Sequence, residues 1–411
     1  MRQPLPRAAR LALVALTLAL AATLWIWAAN SLWTSGSPVP SSVHLPELDA
    51  SDYFSASFLE RSASYERFLY VVGLLATLTL LVVLALYARG GHRLMRESAA
   101  GRVGTGILLG MLGFAIVWLA EVPFGLTAVW WERRHGVSHQ GYVEWLIGCF
   151  LELGSTFLFL ALALAVAMGL AGVLRRWWWA LAAPIFVAIA LLFTFLSPYL
   201  VPDTHPLRGR RLVADARALE RTEGVDGARL RVQDVHESTT APNAEATGFG
   251  PTRSVILWDT LLDGRFSDAE VRVVLAHEIA HLAHDDPLRG VAWGALFGIP
   301  IWALIALLAR RRGGMARPES VPLVVLGLVV LQLLASPLVN AVSRHVEAAA
   351  DWGALNATRE PTTQRDAMRK LSTASLSDPD PPVWTQVLFG THPTAMQRIE
   401  LARAWEENPP P

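Results

Sequence analysis

His277-Glu278-Ile279-Ala280-His281 reads HExxH, and the spacing decides what this chain is built around. On a helix, residues four apart lie on one face. Two imidazoles there converge on one point, where they can hold a single Zn²⁺, with the intervening glutamate placed to take a proton from a metal-bound water. Three fixed letters also occur by chance, so the flanks matter. Ser267-Asp268-Ala269-Glu270 has the S-x-x-E form of a capping box and predicts a helix starting at Ser267. Val271, Val274, Leu275 and Leu282 recur at helical spacing, and Pro287 is expected to stop the helix. His284 extends the histidine face and reads as a polar residue near the helix end rather than a spare ligand.

A catalytic zinc needs a third protein ligand from elsewhere in the chain and an open position for water. The best candidate is Glu347, in Ser343-Arg344-His345-Val346-Glu347-Ala348-Ala349-Ala350-Asp351. This stretch is rich in alanine and favours helix. Asp351 lies one turn beyond Glu347 on the same face, where a carboxylate can accept the spare N–H of a ligating histidine and fix its orientation. Without the HExxH, both carboxylates would read as a solvated helix face.

Composition sets the surroundings. Of 411 residues, 53% are hydrophobic and 17% charged, and the mean hydropathy is +0.37. That is too apolar for an ordinary soluble enzyme. Apolar runs near the ~20 residues that cross a bilayer fall at Leu11–Ala29, Phe68–Leu86, Gly106–Val129, Phe150–Leu170, Trp177–Leu196, Val291–Leu308 and Val321–Leu338. Trp25, Trp27, Tyr87, Trp130, Trp131, Trp177, Trp178 and Trp179 gather near their ends, as in the aromatic belts of membrane proteins. The expectation is a multi-pass integral membrane protein, mainly α, with seven transmembrane helices. The first run follows Arg2, Arg7 and Arg10 but ends in tryptophan rather than a small-residue cleavage site, so it reads as a retained span and not a signal peptide. Net charge is zero, which argues against nucleic acid as a partner. Cys149 is the single cysteine, which excludes an internal disulfide and a cysteine-based zinc cluster and leaves it as a packing residue. Lys370 is the only lysine, and with the alanine, glycine and arginine content this suggests a GC-rich bacterial genome.

The chain divides into a membrane region, 1–200, with five spans, and a region 201–411 that carries the HExxH helix and two further spans. Arg208–Arg221 reads as an amphipathic helix, and Leu230–Val235 and Ser254–Leu257 as strands. Between them Ser238–Arg253 reads as a loop with an edge strand near Asn243–Thr247. Glu121 and Glu152 fall inside or at the edge of spans, where a carboxylate faces a cavity or a partner.

HEIAH, then SRHVEAAAD, then Thr391-His392-Pro393 with Arg398, resembles the integral-membrane zinc metallopeptidases of the CAAX prenyl endopeptidase type, the a-factor-converting enzymes and their bacterial relatives. Asn243-Ala244-Glu245-Ala246-Thr247-Gly248-Phe249-Gly250 and Val255–Leu262 are similar too, as are Asp52-Tyr53-Phe54, Arg61–Arg67 and Pro123–Gly136. The resemblance implies seven helices around a large water-filled chamber, with a zincin-type domain bearing a small β-sheet. It implies one Zn²⁺ per chain held by His277, His281 and Glu347, Glu278 as general base and acid, and Asp351 as the carboxylate behind a ligand. Asn243 and Ala244 match the strand that pairs with the substrate backbone, and His392 and Arg398 the pair near the scissile carbonyl. The implied partners are the lipid bilayer and a peptide or membrane-protein substrate. Prenylated substrates are eukaryotic, so a bacterial chain points instead to membrane proteins or peptides in the cell membrane. A catalytically silent scaffold of the same fold is the alternative, and it has no use for Glu278. A transporter would show Gly/Pro-broken helices in two matched halves, which the sequence lacks.

Charge orients the spans. Arg2, Arg7, Arg10, Arg89, Arg93, Arg96, Arg102, Arg175, Arg176, Arg310–Arg312 and Arg317 fall on one face of a seven-span chain. The positive-inside rule puts that face in the cytoplasm and the zinc site outside, whereas the resemblance implies the zinc site toward the cytosol.

Overall fold

The computed structural model describes residues 7–35, 39–93 and 100–410; Arg2 and Arg96, used above to orient the chain, lie outside them. Helices dominate. The apolar runs become α1 (Arg7–Thr34), α2 (Ala56–Gly90), α3 (Gly101–His135), α4 (Tyr142–Leu174) and α5 (Trp178–Leu200). Then follow β1 (Thr204–Pro206), α6 (Arg210–Glu223), β2 (Arg229–Gln233), β3 (Ala244–Thr247), β4 (Ser254–Trp258) and α7 (Asp268–Ala283). The long helices α8 (Asp286–Arg310) and α9 (Val321–Thr358) come next, and α10 (Pro361–Ser375), α11 (Val383–Leu388) and α12 (Ala395–Glu407) close the chain.

Among the described residues, six stretches are long and apolar enough to cross a membrane: Ala15–Thr34, Ala56–Gly90, Gly101–His135, Tyr142–Leu200, Asp286–Arg310 and Pro318–Thr358. The count is one fewer than the sequence runs because Phe150–Leu170 and Trp177–Leu196 both fall within the one stretch Tyr142–Leu200. Within it, a 3₁₀ turn at Arg175–Trp177 separates α4 from α5. The five stretches after the first share a core in which Leu84, Leu109, Leu164 and Met168 meet Trp178, Ile305, Val321 and Val325. Their outer faces leave large apolar side chains exposed, among them Leu75, Leu78, Val82 and Leu86 on α2, as contact with lipid requires. Glu121 and Glu152 line one cavity of about 400 Å³ together with Trp118, Trp145 and Cys149.

The sheet has the order β1-β2-β4-β3. β4 is central and pairs parallel with β2 and antiparallel with β3. Its Val255, Ile256 and Leu257 are all buried, so an unbroken apolar run suits it. β2 buries only Leu230 and Val232 and alternates. β3 is an edge strand, as the sequence predicts. The sheet packs on α6 and α7, with Leu230, Val232 and Leu257 against Leu219 of α6 and Leu275, Ile279 and Leu282 of α7. At roughly 1.5–3 kcal/mol for each large apolar side chain buried, this layer holds α7 firmly. The segment between α3 and α4 ties the layer to the membrane helices: Thr240 N–H donates to the Val137 carbonyl (3.1 Å) and His139 N–H to the Ser238 carbonyl (2.8 Å).

Two sequence expectations change. Pro287 does not merely stop the HExxH helix: α7 ends at Ala283, and Pro287 sits in the first turn of α8, where its missing N–H costs nothing. The chain after the last apolar run, which the sequence reads as a polar C-terminal tail, instead forms three helices, whose Met368, Met396 and Ile399 pack with Phe54.

Candidate metal centre

α7 starts as its sequence dictates. The Ser267 side chain accepts from Glu270 N–H, and Glu270 reaches back to Ser267 N–H at 2.7 Å. Burial alone raises the Glu270 carboxyl, but Lys370 (2.7 Å) and the Ser267 donors outweigh it and hold it below the usual range. Four turns of buried helix then carry His277 and His281 to the same face. Their rings are perpendicular (89°), and their Nε2 atoms lie 3.1 Å apart.

α9 brings the third group. It is the last apolar stretch continued without a break through Glu347 and Asp351. It packs against α7 at Gly353, where a Cβ would stand 2.9 Å from the Ala280 Cβ. Glu347 Oε2 is 3.3 Å from His277 Nε2, and Oε1 is 3.6 Å from His281 Nε2. One ligand atom from each of the three residues falls within 4.8 Å of the others.

The outer nitrogens are tied back. His277 Nδ1 faces Asp351 Oδ1 at 3.0 Å, and His281 Nδ1 faces Asp286 Oδ2 at 2.8 Å. Each carboxylate accepts an Nδ1–H and so leaves the Nε2 lone pairs pointing inward. Asp286 is a site residue that the sequence reading missed. It follows His281 by five positions, beyond the helix end, and only the two-residue reversal into α8 returns it to the ring. The left-handed Asp285 (φ 53°) makes that reversal, with its side chain on Arg253 at 2.8 Å. Asp351 is 1% exposed and also receives Arg398 in a two-point bond of 2.6 and 2.8 Å. Arg398 thus braces Asp351, and through it His277. His392 stands differently: its ring is 59% exposed, with Nε2 3.4 Å from Glu347 Oε2.

The donor set suits zinc on the structure's own terms. It offers two imidazole nitrogens and one carboxylate, and Glu347 Oε2 is buried without a hydrogen bond. Burial opposes a positive charge on His277, but Asp351 and Glu347 outweigh it and raise the ring to about 10, so the local field favours a cation. Glu278 is 6% exposed. Burial raises its carboxyl, and the neighbouring histidines pull it back. His284 caps α7 and is outside the cluster.

The edge strand runs beside α7. Asn243 lies just before it and accepts from Trp258 N–H at 2.9 Å. Ala244 opposes Leu257 and Thr247 opposes Ser254. Glu245 is close enough to Glu278 for each carboxyl to feel the other's charge. Gly248 ends the strand with φ 78°. The Thr247 and Ser197 hydroxyls, 2.6 Å apart, pin that end to α5.

The chain is similar to known proteins. Residues 206–406 match the model of peptidase family M48. A protease HtpX homolog of Acidiphilium cryptum is 34% identical over 215 residues, covering 47% of this chain and 73% of that protein. An uncharacterized metalloprotease of Bacillus subtilis, YhfN, is 24% identical across 91% of this chain and 92% of its own length. The crystal structure of S. mikatae Ste24p superposes with a TM-score of 0.69 over 98% of this chain and 100% of that one, at 17% identity, a likeness of fold. With helices that suit a bilayer and a histidine–glutamate centre that suits zinc, the chain belongs to peptidase family M48 and is a membrane-embedded zinc metallopeptidase.

Proposed function

We propose that this protein is an endopeptidase of the bacterial cell membrane that cleaves membrane proteins or peptides, with Glu278 as its general base. One observation carries the reading: the His277 and His281 Nε2 atoms converge with the Glu347 carboxylate while a carboxylate ties each outer nitrogen, and buried Glu278 lies on the same helix turn. Zinc held by His277, His281 and Glu347 would supply a Lewis acid that polarises the scissile carbonyl and acidifies water. Glu278 accepts the water's proton and delivers it to the leaving nitrogen, so the C–N bond breaks with an amine and a carboxylate as products. His392, exposed at the edge of the site and held below the ordinary histidine range by desolvation, offers a ring N–H, and Arg398 behind it a positive charge, toward the carbonyl oxygen as it becomes negative.

Substrate capture falls to β3. An edge strand beside the catalytic helix can accept an extended peptide as a further strand, through Asn243 and Ala244, reading backbone more than side chains. The substrate reaches it inside a chamber enclosed by seven crossings, with α4 and α5 counted as two. The cavity at Glu121 and Glu152 supports such an interior. The division near residue 200 is one of role rather than of folding, because helices on both sides of it supply one intramembrane core. The arginine distribution favours the zinc site on the outer face of the membrane.

The test is Glu278→Gln in the full-length protein. The variant should keep its zinc and its thermal stability and lose nearly all peptide cleavage. Near-normal turnover on any peptide the unaltered enzyme cuts would remove Glu278 from the chemistry.

A further inference from the structure

At the opposite ends of the spanning helices from the metal lies a second cavity. α8 starts with Asp286 at His281 and ends at Arg310, about 36 Å away at 1.5 Å per residue. There Arg310 and the turn at Gly313-Gly314 face Arg175 and Arg176, which occupy the break between α4 and α5. The cavity measures about 400 Å³, and among the described residues no acidic side chain lines it. Its floor is apolar and buried: Trp178, Ala306 and Met315 are 2–4% exposed. The three arginines stand exposed around this floor.

The level in the membrane can be read from the same residues. Trp177 is exposed beside the buried Trp178, and the Arg176 guanidinium lies 5.4 Å from the Trp177 ring centre. Tryptophan and arginine together mark the headgroup layer. Arginines at helix C-termini also complement the helix dipole, as Arg310 does in the last turn of α8. That role needs no cavity, and it does not account for guanidiniums from two separate connections meeting over one apolar floor.

We propose that this cavity binds the headgroup of an anionic phospholipid. The phosphate sits among Arg175, Arg176 and Arg310, and the glycerol and first acyl carbons lie on Trp178, Ala306 and Met315. Guanidinium groups match phosphate oxygens in geometry and charge, and basic pockets between spanning helices are a recurrent lipid site. The apolar floor selects a lipid over a soluble phosphate. The occupant fastens the α4–α5 break to the α8–α9 connection.

The experiment uses purified full-length protein in an uncharged detergent. Thermal unfolding is followed against phosphatidylglycerol, phosphatidylcholine and glycerol 3-phosphate. Phosphatidylglycerol should raise the unfolding midpoint saturably, and the other two should not at matched concentrations. The Arg175→Gln/Arg176→Gln/Arg310→Gln variant should bind phosphatidylglycerol roughly a hundredfold more weakly with unchanged zinc content. A control variant, Arg61→Gln/Arg134→Gln/Arg208→Gln, should respond like the unaltered protein. If the triple variant fails to fold, Arg310→Gln alone should weaken binding roughly fivefold. An equal response to phosphatidylcholine would overturn the proposal, as would one to glycerol 3-phosphate or an equal loss in the control variant.

Discussion

The carboxylates behind the two histidines are not equivalent. Asp286 serves His281 at the start of α8, with Arg289 at 3.9 Å. Asp286→Asn should therefore weaken zinc binding by about 10–100-fold, the usual cost of such a change, with little loss of fold. Asp351 carries His277 and the Arg398 pair at once and is 1% exposed. Asp351→Asn should add a fold defect of about 3 kcal/mol to its loss of zinc affinity, because it leaves a buried guanidinium without its counter-charge. Competition with a zinc chelator and thermal unfolding separate the two effects, and equal unfolding midpoints for both variants would contradict this account. At this scale the sequence is informative where chemistry dictates spacing. His277, His281 and Glu278 follow from helix periodicity, and Asp351 from its place one turn after Glu347. Asp286 does not follow, since its position depends on a chain reversal at Asp285 that no periodicity announces. The bracing of Asp351 by Arg398 depends on how α12 docks, which local pattern does not encode.

Two glycines set the position of whole elements. Gly353 lets α9 approach α7 so closely that an added Cβ would meet Ala280 at 2.9 Å. Gly353→Val should push the helices apart and lower zinc affinity although no ligand is touched. Zinc occupancy after dialysis measures this, and full retention would show that the crossing tolerates bulk. Gly248 combines φ 78° with a would-be Cβ 2.5 Å from the Thr252 carbonyl oxygen and 2.8 Å from Pro198 Cγ. Gly248→Ala should cost about 1–3 kcal/mol and raise the peptide KM by shifting β3. An unchanged KM with a lowered melting point would separate β3 from substrate capture. The elements themselves were readable where patterns are strong: the apolar runs, the Ser267 cap, and the strands at 230 and 254. β1 escaped because three residues, Thr204–Pro206, carry no alternation. The break between α4 and α5 was readable as well, because Arg175 and Arg176 part the runs Phe150–Leu170 and Trp177–Leu196 where the 3₁₀ turn lies.

Across the whole molecule, the sole lysine joins the C-terminal helices to the catalytic one. Lys370 on α10 bonds Glu270 in the first turn of α7 at 2.7 Å, and the carboxylate is 6% exposed against 46% for the lysine. Glu270 titrates below its unfolded value, so its contribution is complete above the ordinary carboxylate range and disappears as pH falls through the folded value. Lys370→Met should cost about 1 kcal/mol at neutral pH, a figure discounted for the exposed lysine. The gap from the unaltered protein should close as pH falls below the ordinary carboxylate range; a gap constant with pH would mean that the lysine acts by packing alone. The mainly helical membrane fold was legible from hydropathy because lipid imposes its own length scale. The docking of α10 and α12 was not, since it rests on scattered contacts such as Phe54 with Met396 and Ile399. α9 spans both worlds as one 38-residue helix. From Val321 in the intramembrane core to Glu347 is about 39 Å, which makes the helix a lever. A tilt of about 1.5° at its buried end swings the carboxylate by about 1 Å, a displacement that can cost ~10²-fold in rate. Spanning helices change tilt to match the hydrocarbon thickness around them, so the enzyme's rate should register the thickness of its own bilayer. Turnover of one soluble peptide should peak at one acyl-chain length and fall on either side of it, and a flat profile across a series of nanodiscs would show that the lever does not move.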